Sequence, residues 1–494
     1  MFDPFAPLRE LAEEVAALRA ENAKLRAERD AALTLVVQLN ERVEQLERAL
    51  GRGGRGGNNS PPPGRPPSGK PRGGQTGHKG HSAKPPAEVD ETVEHTLHAC
   101  PRCNGPVVPT ESCTERFEFD AVARALRTIR HRLHTAWCPQ CKRKVKPAAP
   151  LALPGSSYGP LAHATLATLR ATMGCTIGDL EAFTNSVWRR AIGGGQLVAM
   201  LDRCGAALVE TYWWIVEELT HEPSINQDTT GWNVDGERAV MWVFLSRRLT
   251  VYWIDPDGTQ YVPRRVLGAS IDGYVGADGA PRFQQVEHAG EQRCLAHPLR
   301  EARELLAAHP DRPEIVSMMS ELRARLARLI GYYARRPELA PSTWLQYLSR
   351  ERAGLRRLAA RDWTDPDCVR LAKRIERDLE AWLLFMKVPA EAELEPTNNR
   401  AERGLRPSVI DRKRSQQNRS LGGVFRDEIL RSVCATCRQL GVRSEDVVAE
   451  ALVAHARAGP EGAPPSSILI QALKEARERA GRPASTAVAA AMGD

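Results

Sequence analysis

The sequence predicts a multidomain α/β protein with an N-terminal coiled coil, a zinc ribbon, a helical region and a mixed-sheet core that helices interrupt. Three observations predict this class: an apolar heptad over residues 8–50, two CxxC pairs separated by 34 residues, and alternating apolar stretches from Ser224 onward. Because 494 residues are too many for one hydrophobic core, we expect several domains.

The heptad predicts a parallel, two-stranded coiled coil, and therefore a homodimer through residues 8–50. Asn22 occupies an a position, where a polar residue fixes the register and the number of strands. The d positions hold Leu11, Leu18, Leu25, Ala32, Leu39 and Leu46. The flanking charges match between parallel chains, as in the pairs Glu14 with Arg19, Glu21 with Arg26 and Arg42 with Glu47.

A basic segment rich in glycine and proline, residues 51–92, predicts a flexible linker because it cannot bury a core. Between Gly51 and Ala87 it carries seven lysines and arginines and no acidic residue. Two interpretations remain open: a solvated spacer, or a spacer that also lies on DNA phosphates.

The two CxxC pairs predict a zinc ribbon over residues 93–150. Each pair supplies two thiolates to one tetrahedral Zn²⁺, and a redox pair would need only one such motif in a βαβ setting. The predicted ligands of this structural zinc are Cys100, Cys103, Cys138 and Cys141. A third pair, Cys434 and Cys437, lies on a predicted helix without a partner pair, which favours core thiols.

Short helices separated by glycine-containing turns are predicted for residues 151–222. Their spacing permits a helix-turn-helix with Gly195–Cys204 as recognition helix, and a plain helical subdomain fits equally well.

The charge balance and the cysteine number restrict the class of partner and the compartment. The net charge of +8 and a pI near 9.0 favour nucleic acid or an anionic membrane as partner. We expect neither a membrane span nor a signal peptide, since no long apolar run occurs and the first residues lack a basic segment followed by an apolar one. An odd count of 11 cysteines suits metal ligands and free thiols in a reducing cytoplasm.

Strand patterns over residues 223–298 predict the first part of the core. SINQDTTGWNV contains Asp228, AVMWVFL and LTVYWI form a predicted hairpin, and GYVGAD ends at Asp278. A hairpin, a crossover and a further strand indicate a mixed α/β sheet, in which carboxylates on neighbouring strands can converge at one edge.

Glu402 stands among arginines and asparagines in NNRAERGLRP, residues 398–407. One interpretation is an ordinary surface ion pair with Arg406, four residues further along a helix. The other is a metal ligand beside a nucleic-acid backbone. Together with two aspartates, such a glutamate can hold two Mg²⁺ (or Mn²⁺) ions for phosphodiester chemistry.

These motifs resemble those of the transposases of the insertion-sequence-66 family, which are DDE enzymes with a ribonuclease-H-like core. The resemblance reaches from the heptad to about residue 450. It rests on GGQTGHKGH (73–81), CPRC, CPQC, QDTTGW (227–232), VLGASIDGYVGADG (266–279), QRCLAHPLRE (292–301) and NNRAERGLRPSVIDRKRSQQNRSLGG (398–423).

The resemblance implies that Asp228, Asp278 and Glu402 are the catalytic, Mg²⁺-binding carboxylates, with Asp272 as the other candidate for the second. It also implies a helical insertion over residues 299–394, a return to the core over 395–450, and a C-terminal tail over 451–494. Cys294 and His297 form a CxxH motif where the chain enters the insertion. Such a motif alone more often belongs to a packed core than to a zinc site. The residues expected to hold DNA phosphates are Arg403, Arg406, Arg412, Lys413 and Arg414.

The expected function is therefore that of a DNA transposase. It would bind the ends of an insertion sequence, hydrolyse phosphodiester bonds there and join the 3′ ends to target DNA. Two alternatives remain: a non-catalytic zinc-ribbon regulator that binds DNA, and an inactive transposase copy.

Overall fold

The computed structural model describes residues 153–481, apart from gaps at 257–260, 280–285, 416–417 and 459–462, together with Leu126, Ile129 and two short strands. These strands, β1 (Ala136–Cys138) and β2 (Arg143–Val145), pair antiparallel. The predicted coiled coil, the linker and the side chains of the four predicted zinc ligands lie outside the described residues.

A mixed sheet forms the core and confirms the predicted α/β class. Its strands are β3 (Ser224–Val234), β4 (Glu237–Leu245), β5 (Thr250–Asp255), β6 (Tyr274–Ala277) and β7 (Gly290–Arg293). They lie in the order β5-β4-β3-β6-β7. β3, β4 and β5 pair antiparallel, including the predicted β4–β5 hairpin, whereas β6 and β7 run parallel to β3.

The β3–β4 turn and the approach of β6 depend on glycine. Asp235 and Gly236 have φ values of 49° and 83°, the left-handed pair that a two-residue hairpin turn requires. A glycine inside a strand, such as Gly276, ordinarily weakens that strand. Here a Cβ at position 276 would lie only 2.5 Å from the side-chain amide nitrogen of Asn226 on β3. The glycine therefore lets β6 pack closely beside β3.

Ten of the described helices precede α11 in the sequence, in two groups. Before and between the strands lie α1 (Pro160–Met173), α2 (Ile177–Ser186), α3 (Gly194–Ala207), α4 (Val209–Thr220) and α5 (Val262–Leu267). After β7 come α6 (Ala296–Ala308), α7 (Pro313–Ala334), α8 (Pro341–Ala359), α9 (Pro366–Trp382) and α10 (Leu384–Lys387). The residues of α6–α10 build a hydrophobic core of their own around Leu322, Leu355 and Trp382.

The last helices return to the sheet. They are α11 (Asn399–Ser415), α12 (Leu421–Leu440), α13 (Ser444–Ala458) and α14 (Ser467–Arg479). Residues 451–458 and 463–481, which the sequence assigned only to a C-terminal tail, are largely helical, and Leu452, Leu469 and Leu473 are buried in the main core. Among the described helices, none has both the length and the apolar character of a membrane span.

The candidate recognition helix α3 carries one basic residue, the half-buried Arg203. Its exposed positions hold Gly195, Gln196, Ala199, Asp202 and Ala206, while Leu197, Leu201 and Cys204 are buried. Asp202 pairs with Arg426 of α12 at 2.8 Å. This packing favours the helical-subdomain interpretation, and a DNA-reading role for α3 stays a hypothesis.

Helix α12 covers the edge strand β5 with side chains. Ser432 and Thr436, four residues apart on the helix, accept hydrogen bonds from the backbone N–H groups of Tyr252 and Thr250 at 2.9 and 3.1 Å. Glu428, one turn earlier, accepts from the N–H of Ile254. The helix thus satisfies strand donors that would otherwise offer an edge for pairing with another chain.

A buried ionic cluster ties α1, α11 and α12 together. Arg170 bonds Asp427 at 2.7 Å, and Arg431 pairs with Asp411. Burial alone would raise the pKa of Asp427, but Arg170, Arg431 and Arg426 outweigh it and lower that pKa to about 2. Asp411, which opens the basic run DRKR, is therefore a structural residue of the core.

Candidate active site

Asp228 lies on the face of the sheet that α11 covers. It stands directly opposite Val243 in the β3–β4 register, and residues opposite each other on paired antiparallel strands share a face. Val243 packs with Ala401 and Leu405 of α11 in one hydrophobic cluster. The carboxylate of Asp228 accepts a hydrogen bond from the N–H of Thr229 at 2.8 Å, which restrains its orientation.

Asp278 belongs to the same face. β3 and β6 run parallel with Asn226 beside Gly276, and side chains alternate between faces with a period of two. The paired register ends at Asn226 and Gly276, and Asp278 directly follows the last residue of β6. Continued by two residues, this register would set Asp228 beside Asp278, so a shared position of the two aspartates stays a prediction.

Asp272 occupies the opposite end of this strand. It is exposed and precedes β6, whereas Asp278 follows it. Six residues of extended chain span roughly 20 Å. Of the two candidates for the second carboxylate, this placement favours Asp278.

Asn398 fixes the start of α11 against β3 and the end of β7. Its side-chain amide donates to the carbonyl of Gln227 at 2.9 Å and accepts from the amide of Asn226 at 3.0 Å. Its backbone N–H donates to Sγ of Cys294 at 3.0 Å, and its carbonyl accepts the N–H of Glu402 at 3.1 Å. The first turn of α11, which carries Glu402, is thus bonded to the residues that precede Asp228.

Gly404 allows this close approach of α11 to the sheet. A Cβ at that position would lie 2.9 Å from the side chain of Leu245 on β4. The hydroxyl of Tyr252 on β5 donates to the carbonyl of Gly404 at 2.7 Å. The helix is held at two points, by Asn398 and by Gly404, with Glu402 between them.

Glu402 faces α6 rather than its own helix. Among the described contacts, its carboxylate lies 3.6 Å from the guanidinium of Arg300 and 3.9 Å from Nε2 of His297. The pairing with Arg406 that the sequence offered as the simple alternative is not the arrangement found in this part of the structure. Glu402 is one-third exposed, so its carboxylate is accessible to a ligand.

The three carboxylates expected from the sequence would supply hard oxygen atoms as ligands. Such donors fit Mg²⁺ or Mn²⁺, which prefer carboxylate oxygen over nitrogen and sulfur. That Asp228, Asp278 and Glu402 share one metal site stays a prediction. The group of metal-ligating side chains that lies within 4.8 Å in the described residues is Cys294, His297 and Glu402.

The predicted phosphate-binding residues lie along the outer side of α11. Arg403, Arg406, Lys413 and Arg414 are exposed, and Arg412 is half-buried. Arg412 bonds the carbonyl of Gly231, and Arg414 pairs with Asp179 of α2 at 2.8 Å. Arg403 and Arg406 line a groove between α11 and the end of α1 together with Met173 and Ile410.

Sequence reasoning missed three residues of this region. Asn398 is the first of the two adjacent asparagines in NNRAE, but the sequence does not show which residues it bonds. His297 was expected to serve in packing, and Arg300 was not singled out at all. Both lie beside Glu402 because α6 begins where β7 ends, next to the start of α11.

Comparison with known proteins yields one family. The model described as "Transposase IS66 family" matches residues 155–425, which is more than half of the chain. The matched region contains the whole sheet, the helices α6–α10 and Glu402. No match was found among curated proteins.

Proposed function

Because the chain belongs to the IS66 transposase family, we propose that it is a DDE-type DNA transposase with a ribonuclease-H-like core. It binds the ends of an insertion sequence, hydrolyses phosphodiester bonds there and joins the freed 3′ ends to target DNA. The observation that supports this proposal is that Asn398 bonds the start of α11, the helix of Glu402, to Asn226 and Gln227 of β3, the two residues before Asp228.

The carboxylates would hold two Mg²⁺ ions, or Mn²⁺. When bound, such ions activate the attacking oxygen and stabilise the leaving oxygen of a phosphodiester. The protein's part is positional: the Thr229 N–H orients Asp228, and Asn398 holds Glu402 in its turn of α11. No serine, tyrosine or cysteine nucleophile is required, because water attacks first and the DNA 3′ hydroxyl second.

The outer side of α11 would receive the DNA backbone. Arg403, Arg406 and Lys413 are exposed on the same helix as Glu402, with Arg403 and Arg406 within about one helical turn of it. Phosphate contacts of this kind position DNA without reading its sequence. Arg412 and Arg414 already bond protein groups, so we assign them a smaller share of the phosphate contacts.

The N-terminal predictions complete the proposal. Cys100, Cys103, Cys138 and Cys141 would hold one structural Zn²⁺, and residues 8–50 would join two chains as a parallel dimer. Dimerisation would suit an enzyme that acts on two element ends.

Substitution of the two candidate aspartates tests the site. Asp278→Asn is expected to reduce Mg²⁺-dependent cleavage of labelled element-end DNA on the order of a thousandfold, since a metal ligand is lost. Asp272→Asn is the matched control, because it makes the same chemical change at the other end of β6, and it should cleave at the wild-type rate. Loss of cleavage in Asp272→Asn with retention in Asp278→Asn would reverse the assignment.

A further inference from the structure

A second group of metal-ligating side chains adjoins the carboxylates. Cys294 follows β7, His297 lies in the first turn of α6, and Glu402 lies on α11. One ligand atom from each lies within 4.8 Å of the other two. We propose that Cys294, His297 and Glu402 form a binding site for one Zn²⁺ ion, and that zinc bound there withdraws Glu402 from the Mg²⁺ site. The second half of this inference rests on the proposed function.

The distances are close to those of a tetrahedral zinc site. With Zn–S near 2.3 Å and Zn–N or Zn–O near 2.1 Å, neighbouring ligand atoms stand about 3.3–3.6 Å apart. Nε2 of His297 and Oε1 of Glu402 are 3.9 Å apart, and no pair in the group exceeds 4.8 Å. A contraction of about 1 Å is within reach of rotation about the side-chain bonds of Glu402, which is one-third exposed.

Three backbone N–H groups surround the sulfur of Cys294. Its Sγ accepts the N–H of Asn398 at 3.0 Å, and the backbone N–H groups of Ala296 and His297 also bond it. Burial outweighs these donors and raises the pKa of the thiol, so the sulfur would become a ligand by exchanging its proton for the metal ion.

His297 has a buried nitrogen without a partner. Its Nδ1 makes no hydrogen bond within the described residues, although it is shielded from solvent. Either imidazole nitrogen can ligate a metal, and a buried polar atom without a bond is costly. Nε2, which lies 3.9 Å from Oε1 of Glu402, is the nitrogen that would ligate the ion, and within the described residues Nδ1 has no competing hydrogen bond.

The donor types separate this site from the carboxylate site. Thiolate and imidazole select Zn²⁺ over Mg²⁺, while three carboxylates select Mg²⁺. Arg300, 3.6 Å from Glu402, opposes any cation here, but its side chain is 55 % exposed and can turn into solvent. Glu402 is shared, so occupation of one site competes with occupation of the other.

Cobalt titration of the full chain, with Zn²⁺ supplied first for the proposed ribbon, tests the binding half. Co²⁺ bound by a thiolate gives a sulfur-to-metal charge-transfer band in the near ultraviolet. The wild type should show this band at about one further equivalent, and Mg²⁺ should weaken Co²⁺ binding. Cys294→Ser should lose the band and bind Co²⁺ at least tenfold more weakly, and His297→Gln should also weaken binding.

Cys368→Ser is the matched control, since Cys368 is buried among the insertion helices and outside this group. Its titration should equal that of the wild type, and circular dichroism should show that all variants are folded. No further band in the wild type, or the same band in Cys294→Ser, would overturn the inference. Such a failure leaves the cleavage defects of the aspartate variants intact. Conversely, a normal band in the wild type with full cleavage by Glu402→Gln would overturn the assignment of Glu402 to the Mg²⁺ site, and with it the competition between the two metals, while metal binding by Cys294 and His297 would stand.

Discussion

Glu402→Gln is expected to cleave element-end DNA on the order of a thousandfold more slowly than the wild type and to bind that DNA with unchanged affinity. Glutamine keeps the shape of the side chain and removes the charge proposed to hold the metal, so several kcal/mol of transition-state stabilisation should be lost. Binding survives because phosphate contacts of Arg403 and Arg406 are untouched. Single-turnover cleavage and a binding titration at one salt concentration measure the two effects.

A matched substitution on α6 separates a catalytic role from a surface ion pair. Glu301 pairs with Arg370 and Arg374 of α9, away from the aspartates, and Glu301→Gln should cleave like the wild type. Were Glu402 only an ion-pair partner of Arg300, its glutamine variant would lose less than about 1 kcal/mol of stability and cleave DNA normally. Full cleavage by Glu402→Gln therefore contradicts the assignment.

The free energy of unfolding of the wild type is expected to fall as the pH rises, and that of the Glu428→Gln variant is not. Burial raises the pKa of Glu428 to about 8, with Asp427 and Asp255 adding to the rise and the Ile254 N–H opposing it. The folded state thus binds the proton more tightly than the unfolded chain, whose glutamate pKa is near 4.5. Its stabilising contribution is complete below pH 4.5 and is lost as the pH rises through 8.

The expected size of this effect is several kcal/mol, at about 1.4 kcal/mol for each unit of pKa shift. Glutamine stays neutral and retains an oxygen for the Ile254 N–H. Wild type and variant should therefore be similarly stable below pH 4.5, differ increasingly as the pH rises from 4.5 to 8, and keep that difference above pH 8. Urea unfolding followed by circular dichroism at pH 5, 7 and 8.5 measures the difference. Equal pH dependence of the two proteins would show that Glu428 is not held neutral.

The adjacent Asp427 supplies a control of opposite sign. Its folded-state pKa of about 2 lies below the ordinary value of 3.8, so its stabilising contribution is present above pH 4 and is lost as the pH falls towards 2. The Glu428→Gln variant should therefore still lose stability, as the wild type does, when the pH falls from 4 towards 2.

The strands were predictable because their signals are local. Alternation of apolar residues gave β4 and β5, and the sequence QDTTGW placed Asp228 within a strand. The position of Asp278 at the end of β6 also followed from the sequence, although the close contact of Gly276 with Asn226 did not. That contact joins residues 50 positions apart, and no local pattern records it.

The surroundings of Glu402 depend on contacts between distant parts of the chain. Asn226 and Asn398 are separated by 172 positions, and their hydrogen bond sets where α11 begins on the sheet. Arg300 and His297 reach Glu402 only because α6–α10 fold back and return the chain to β3. Likewise, the sequence shows Asp411 only as the first residue of the basic run DRKR, whereas the fold places Arg170 and Arg431 beside it.

Iron-mediated cleavage of the protein itself tests most directly whether Asp228, Asp278 and Glu402 share a metal site. Fe²⁺ replaces Mg²⁺ at oxygen ligands, and with ascorbate and peroxide it cuts the polypeptide backbone close to where it is bound. If the three residues share a site, the backbone should be cut near residues 228, 278 and 402. Excess Mg²⁺ should suppress these cuts, and Asp228→Asn should abolish them. Cuts confined to residues 294–297 and 402, unaffected by Asp228→Asn, would contradict this prediction and leave Glu402 a ligand of the cysteine–histidine site alone.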